Sequence, residues 1–258
     1  MAMIPKKTES RIKSALHNFK KIIQNAKDRD VNESDTVTIL TDMLAEICGY
    51  DKYSELTREF AIRGTYCDLA IKIDGEVVFL IEVKAIGIPL KESHMRQAIN
   101  YAANEGIEWV ILTNGNQWQA YRVLFGKPIK TELAFDCCLL EENNNHLIDL
   151  FFLLSREGVK KSAISQFHEE SQLTSRHMLA AAINSEQVLN SIRKQLRSLG
   201  KNIKITAEEI GQIINDQVIK RDVLEAEDYK KAKKRLKSSL KKQATAKKDK
   251  EDAPSEAF

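Results

Sequence analysis

An almost unbroken apolar run, Val77 to Val83, holds one carboxylate, Glu82, near its end and is followed at once by a lysine, Lys84. So short a run, rich in β-branched residues, suits a strand buried on both faces. Charge inside such a strand is unusual. Glu82 and Lys84 stand two residues apart, so the period of a strand places them on one face. Upstream, Cys67 to Ile73 alternates, with Leu69, Ile71 and Ile73 on one face and Asp68, Ala70 and Lys72 on the other. Asp74-Gly75 between the two strands is a hairpin signal, since both residue types tolerate left-handed backbone. Register then decides whether Asp68 joins Glu82 and Lys84. A two-residue loop with regular pairing sets Asp68 opposite Ile81, on the wrong face. A three-residue loop (Asp74, Gly75, Glu76) sets it opposite Glu82. The expectation is an odd loop or a bulge, with Gly75 left-handed.

Two carboxylates and a lysine gathered on a sheet suit metal-assisted cleavage of a phosphodiester. Asp68 and Glu82 would hold one or two Mg²⁺ (or Mn²⁺) ions, hard cations that prefer carboxylate oxygen. The metal would act as Lewis acid and lower the pKa of a water. Lys84 would orient or help deprotonate that water and stabilise the charge developing on phosphorus. The plain alternative is a surface strand end whose Glu and Lys face water. The buried run before them weighs against it.

Asp68, with Glu82-Val83-Lys84 after thirteen intervening residues, resembles the PD-(D/E)XK nuclease motif, and R-Q-A-I-N-Y, residues 96 to 101, resembles the Q-x-x-x-Y motif that follows it in one branch. That branch includes RecB-like nucleases and the N-terminal nuclease domain of type I restriction enzyme R subunits. The stretch from Trp109 to Tyr121 is also similar to the latter, and the resemblance covers about Val31 to Asp136. It departs from the family at Cys67, where a proline is frequent. The resemblance implies that Gln97 and Tyr101 face the active site, Gln97 fixing a phosphate or the catalytic lysine. It also implies a Glu on the first helix that helps bind metal or water. The family's N-E-x-x-T pattern falls on Asn32 to Thr36, which favours Glu33 over Glu46, with helix capping as the competing role for Glu33. Restriction or phage defence is the implied setting, with DNA repair behind it. No G-x-x-x-x-G-K-[ST] phosphate loop occurs, so the sequence shows no motor; a nuclease acting alone, or one targeted by a partner protein, is expected.

Around this centre, Lys7 to Lys27 reads as an amphipathic helix, and Asn32 caps a second that ends near Gly49. Thr57 to Gly64 reads as a strand whose Arg58 and Arg63 are in position to touch phosphates or simply to be solvated. His94 stands one turn before Gln97, more bystander than catalyst. Trp109 to Thr113 and Trp118 to Val123 form a second hairpin around Asn114-Gly115, Trp118 and Tyr121 reading as core aromatics before base-stacking ones. An edge strand (Ile129 to Asp136) and a helix from Leu147 close the domain. The four cysteines lack metal-ligand spacing and read as reduced thiols.

Residues 156 to 162 look like a linker into helices: Ser175 to Leu199, one opened by the capping box Thr206 to Glu209, and one from about Glu225. From Gln243 the composition is that of a disordered tail. Residues 229 to 250 carry eleven Lys or Arg and one Asp, a net of +10 against +3 for the whole chain, so the body is acidic and the tail suits a polyanion. The helical region is compatible with DNA binding, homo-oligomerisation or docking of another protein. No apolar run approaches a membrane span and no signal-peptide core is present, so no membrane partner and a cytoplasmic location are expected.

The reading is thus α/β: a restriction-endonuclease-like mixed central sheet flanked by helices, then an all-α region with a basic tail. The domains are an N-terminal helix (1–30), a nuclease domain (31–155), a helical accessory domain (156–242) and the tail (243–258). The competing class is a non-catalytic nucleic-acid-binding or assembly module that keeps the fold.

Overall fold

The computed structural model describes residues 3–62, 65–200 and 204–251. Arg63 and Gly64 lie outside the described residues. The chain divides into two compact units, Met1–His168 and Glu169–Phe258.

The first unit is built on six strands in sequential order: β1 (Leu56–Ile62), β2 (Thr65–Ile73), β3 (Glu76–Val83), β4 (Trp109–Thr113), β5 (Gln117–Leu124) and β6 (Lys130–Cys138). All neighbouring pairs are antiparallel except β3 with β4, which run parallel. A parallel pair needs a crossover. It is supplied by a 3₁₀ turn (Glu92–Met95) leading into α3 (Arg96–Glu105), which follows α1 (Lys6–Asp28) and α2 (Glu33–Glu46) in the chain. α3 ends on Gly106, whose left-handed φ of 74° closes the helix.

The two faces of the sheet bury different helices. Leu69, Ile71, Ile73, Phe79, Ile81 and Val83 point into the larger core with the apolar stripes of α1, α2 and α4 (Asn144–Leu153). Ala70, Leu80, Val110 and Leu112 point to the other side, against Met95, Ala98 and Ala102 of the crossover. β3 is therefore buried on both faces, as its composition requires. Each fully buried Leu, Ile or Phe contributes roughly 1.5–3 kcal/mol, so the two-sided burial holds β3 firmly at the centre. The N-terminal helix belongs to this unit: Ile12, Leu16, Phe19 and Ile23 are in the same core as α2 and the sheet. Trp118 is a core residue too, its ring edge-on to Phe151 and its indole N–H donating to Gly115 O at 2.9 Å. All four cysteines are free thiols, and burial pushes Cys48, Cys67 and Cys137 up to about 12.

The hairpin between β2 and β3 takes the second of the two expected routes, a bulge in place of a three-residue loop, and Gly75 is left-handed as expected. Asp74 and Gly75 form a two-residue turn, with φ of 52° and 89°, and Ile73 pairs with Glu76. The register then shifts: Lys72 pairs with Val77 but Ile71 with Phe79, leaving Val78 as the extra residue of a bulge. Two positive φ values are what a primed hairpin turn demands, and Asp-Gly supplies them cheaply.

Residues 156 to 162, read as a linker, are pinned instead. Ser155 caps α5 (Arg156–Lys160) by accepting from Gly158 N. A Cβ at Gly158 would meet Phe152 O at 1.9 Å, so only glycine fits there. Arg156 bonds Glu55 at 2.7 Å. Arg11 of α1 spans the gap between helices, giving Glu157 two bonds (2.6 and 2.8 Å) and Ile47 O and Cys48 O one each. α6 (Ala163–Leu173) follows, with Ala163 and Ile164 in the main core.

In the second unit, Ser175 to Leu199 breaks into α7 (Arg176–Ile183) and α8 (Glu186–Leu199). Asn184 at the break donates to Asn215 Oδ1 at 2.8 Å and Tyr229 OH at 3.3 Å, and Asn-Ser favours caps over helix interiors. The capping box forms as read, Thr206 and Glu209 bonding reciprocally at the start of α9 (Ala207–Ile213), which runs into a π turn (Ile214–Val218). α10 (Arg221–Glu225) and α11 (Glu227–Glu251) complete the unit, α11 continuing as helix past Gln243. Among the described residues, no helix is long and apolar enough to cross a membrane.

The Arg11–Glu157 pair yields a pH-dependent prediction. The hydrogen bond from Arg11 holds the Glu157 carboxyl below its usual range. A lowered folded pKa means stability that is present above the ordinary value of 4.5 and lost as pH falls through the folded value. Glu157→Gln is expected to cost about 1 kcal/mol at neutral pH, the charged bond being discounted for its exposure. Urea unfolding at several pH values checks this, with the difference between the two proteins closing in acid.

Candidate active site

The bulge at Val78 sets the geometry of the candidate site. With Leu69 opposite Ile81, the same register carried one step further sets Asp68 opposite Glu82. Asp68 Oδ2 accepts the N–H of Val83 at 2.7 Å, a bond that ties the strand ends together. Lys84 stands just beyond β3, its own N–H donating to Thr113 O of β4 at 2.9 Å. Asn114, next along, donates to Ile88 O at 3.0 Å and anchors the loop that leaves the site.

The Lys84 ammonium has three hydrogens, and three acceptors surround it. Val83 O lies at 2.6 Å, Glu82 Oε1 at 2.9 Å and Glu33 Oε2 at 3.4 Å. Glu82 and Lys84 are 15% and 19% exposed, Glu33 49%. The structure thus brings Asp68, Glu82, Lys84 and Glu33 together. Glu33 reaches Lys84 because α2 begins beside the strand ends, and its capping alternative is taken by Asn32, which accepts from Asp35 N at 2.9 Å. Glu46 is exposed, as its place on the helix implied.

Gln97 does not join the cluster in this arrangement. Gln97 is exposed on the first turn of α3 and makes no hydrogen bond to Asp68, Glu82 or Lys84. Tyr101 packs edge-on to Phe60 with ring centres 6.1 Å apart. His94 accepts from the Lys91 N–H at 3.3 Å, closing its own turn, and Arg58 is exposed on β1. Glu59, which the sequence did not single out, acts on the site: it lies across from Asp68 between the Arg58–Leu69 and Phe60–Cys67 pairs, with φ of 47°. Only the β1–β2 register reveals this, and no local motif carries it.

Electrostatics follow from burial. Desolvation pushes the Asp68 carboxyl up, against the Val83 N–H bond and Lys84, while Glu33 and Glu59 reinforce the rise. Burial likewise raises Glu82, outweighing its bond from Lys84. Burial acts to lower Lys84, but the bond to Glu82 and the surrounding carboxylates outweigh it and the net shift is upward. The cluster holds more negative charge than one ammonium offsets. Among the described residues, no group of three or more His, Cys, Asp or Glu is placed to hold a metal ion by side chains alone. Two hard carboxylates with an excess of negative charge do fit a divalent cation that keeps most of its waters.

An Asp on one strand of a central hairpin and Glu-x-Lys at the end of the next, on a mixed sheet flanked by helices, is the arrangement that the sequence resemblance implied. In keeping with this, residues 39–133 match the family described as type I restriction enzyme R protein N terminus (HSDR_N), so the resemblance read from the sequence holds over β1 to β5 and the start of β6. The match takes in Asp68, Glu82, Lys84, Gln97 and Tyr101 but not Glu33 or the helical unit. Comparisons with curated proteins and with solved structures each find no match.

The raised carboxyl at Asp68 has a consequence for stability. An acid whose folded pKa is raised destabilises the fold above that value, and the cost is relieved as pH falls towards the ordinary 3.8. Asp68→Asn keeps an acceptor for Val83 N–H and removes the charge. It is expected to stabilise the metal-free protein at neutral pH by up to about 1 kcal/mol, whereas Asp68→Ala, which orphans that N–H, costs about 1–3 kcal/mol. Denaturant melts in the presence of a chelator measure both.

Proposed function

We propose that the first unit is a metal-dependent nuclease hydrolysing phosphodiester bonds, with DNA as substrate and restriction or phage defence as its setting. The observation that carries this reading is the Lys84 ammonium held on Glu82 beside Asp68, at the ends of adjacent strands. A retired site has no physical reason to keep two half-buried carboxylates above their ordinary pKa. The match of residues 39–133 to the type I restriction enzyme R protein N terminus supports it.

In this reading Asp68 and Glu82 would hold Mg²⁺ or Mn²⁺. The ion would supply Lewis acidity towards the phosphoryl group and lower the pKa of a water. Lys84, kept protonated by its three acceptors, orients the attacking water and offsets the charge that builds on the phosphoryl oxygens. Glu33 holds the far side of Lys84 and accepts from water at the open face. Gln97, exposed one helix away, would meet a phosphate only once substrate lies across α3. The net charge of +10 over residues 229 to 250 would draw a polyanion towards the helical unit at long range, without seating it in any one groove. A partner protein that supplies targeting and a cytoplasmic location accompany this proposal.

One observation favours the non-catalytic alternative. Gln97 makes no hydrogen bond to Asp68, Glu82 or Lys84, as a domain that only binds or assembles would allow. Cleavage of supercoiled, linear and single-stranded DNA with Mg²⁺ or Mn²⁺ separates the two. Asp68→Ala, Glu82→Ala and Lys84→Ala are each expected to lower the rate by at least about 100-fold, with Gln97→Ala milder. Calorimetry should find a Mn²⁺ site that is lost in Asp68→Ala. No cleavage and no metal heat in the wild-type chain, with DNA binding indifferent to all three substitutions, would establish the binding module instead.

A further inference from the structure

We propose that a groove in the helical unit, between the α7–α8 corner and α11, is a docking site for an acidic amphipathic helix of a partner protein. The proposal does not depend on the nuclease reading. It begins with the apolar stripe of α11. Tyr229 and Ala232 are buried against Met178 and Ala181 of α7, forming the small core of this unit with Val223. The stripe continues one and two turns further with Leu236 and Leu240, which are only half-buried. The seam therefore outruns the helix that covers its start.

Where it does, a groove of about 700 Å³ opens, a size typical of built binding sites. Ala181, Leu236 and Leu240 contribute its apolar surface, and Lys233, Lys234 and Lys237 line the α11 side. Lys233 and Lys237 are four residues apart, like Leu236 and Leu240, so an apolar row and a cationic row run side by side along the helix. One acidic side chain, Glu186, lines the opposite wall.

Charge complementarity selects the occupant. An amphipathic helix carrying apolar residues at i, i+3/i+4 and i+7, flanked by Asp or Glu, fills the apolar row and neutralises the lysine row at once. A nucleic-acid backbone would satisfy the lysines but leave Leu236 and Leu240 exposed, because a charged sugar–phosphate chain offers leucines no apolar partner. A second copy of α11 would bring lysines against lysines. The matching partner is acidic and helical.

The test uses the full chain and a fluorescent peptide of about 20 residues, with leucines at helical spacing and glutamates flanking them. Saturable binding is expected, weakened about tenfold or more by Lys237→Glu and by Leu240→Glu. Both positions lie at the open side of α11, and thermal melts followed by circular dichroism confirm that each variant folds. Lys237→Glu should regain binding to a peptide whose facing glutamates are exchanged for lysine, which a folding defect would not produce. A peptide of the same composition, scrambled to destroy the apolar face, should not bind. Equal binding of the scrambled peptide, or wild-type affinity in both variants, would overturn the proposal. So would a DNA duplex that displaces the peptide and itself weakens in Leu240→Glu, since the groove would then belong to nucleic acid. Absence of binding by the designed peptide would overturn it as well.

Discussion

One extra residue in β3 governs the geometry of the first unit. The Asp74-Gly75 turn, taken with regular pairing, would place Asp68 on the opposite face from Glu82 and Lys84. Val78 takes up the difference. Because it has no partner on β2, Val77 faces α3 while Val78 and Phe79 both face the larger core, and every residue beyond is shifted by one step. A slip of one residue exchanges the two faces of a strand. Here the slip occurs midway, so the turn keeps its preferred two-residue form and the far end of the hairpin still brings its carboxylates together. The bulge is thus a device for aiming side chains.

What it assembles is electrostatically costly. Asp68 and Glu82 are drawn out of water at the edge of a dry core, and one lysine shared among three acceptors does not offset them. Both carboxyls rise as a result. Shifted carboxyls of this kind cluster at functional sites, which makes this group the candidate site of the unit. The surroundings are correspondingly rigid. β3 is packed on both faces, Lys84 N–H is bonded to β4, and Asn114 fixes the loop beyond. A site held on a central strand keeps its geometry better than one on a loop.

The helical unit works on different terms. α8 has a strong apolar face yet no buried residue, and α11 carries its apolar stripe past the end of α7. Helices with faces left half-covered gain less from packing than β3 does. Their stability rests more on caps, such as Thr206 with Glu209, and on the polar knot of Asn184, Asn215 and Tyr229.

The division between what the chain spells out and what the fold decides follows the range of the interactions. Caps, turns and faces are local, and they were legible: Asn32 as N-cap, Asp74-Gly75 as turn, the stripes of α1 and α2, and the two-sided burial of β3. The motif Asp68, Glu82, Lys84 was legible too, since its spacing is written in consecutive strands. The position of the bulge was not. Val77 to Ile81 is apolar throughout, so no alternation in the residues betrays where the phase slips. The approach of Glu59 to Asp68, the exposure of Gln97 and the pinning of residues 156 to 162 by Arg11 and Glu55 were likewise beyond it. Each depends on partners tens of residues away, set by sheet register and helix packing. By itself the sequence determined which side chains stand at the strand ends. Only the tertiary structure decided which others reach them, because pairing across strands is settled by burial on both faces at once.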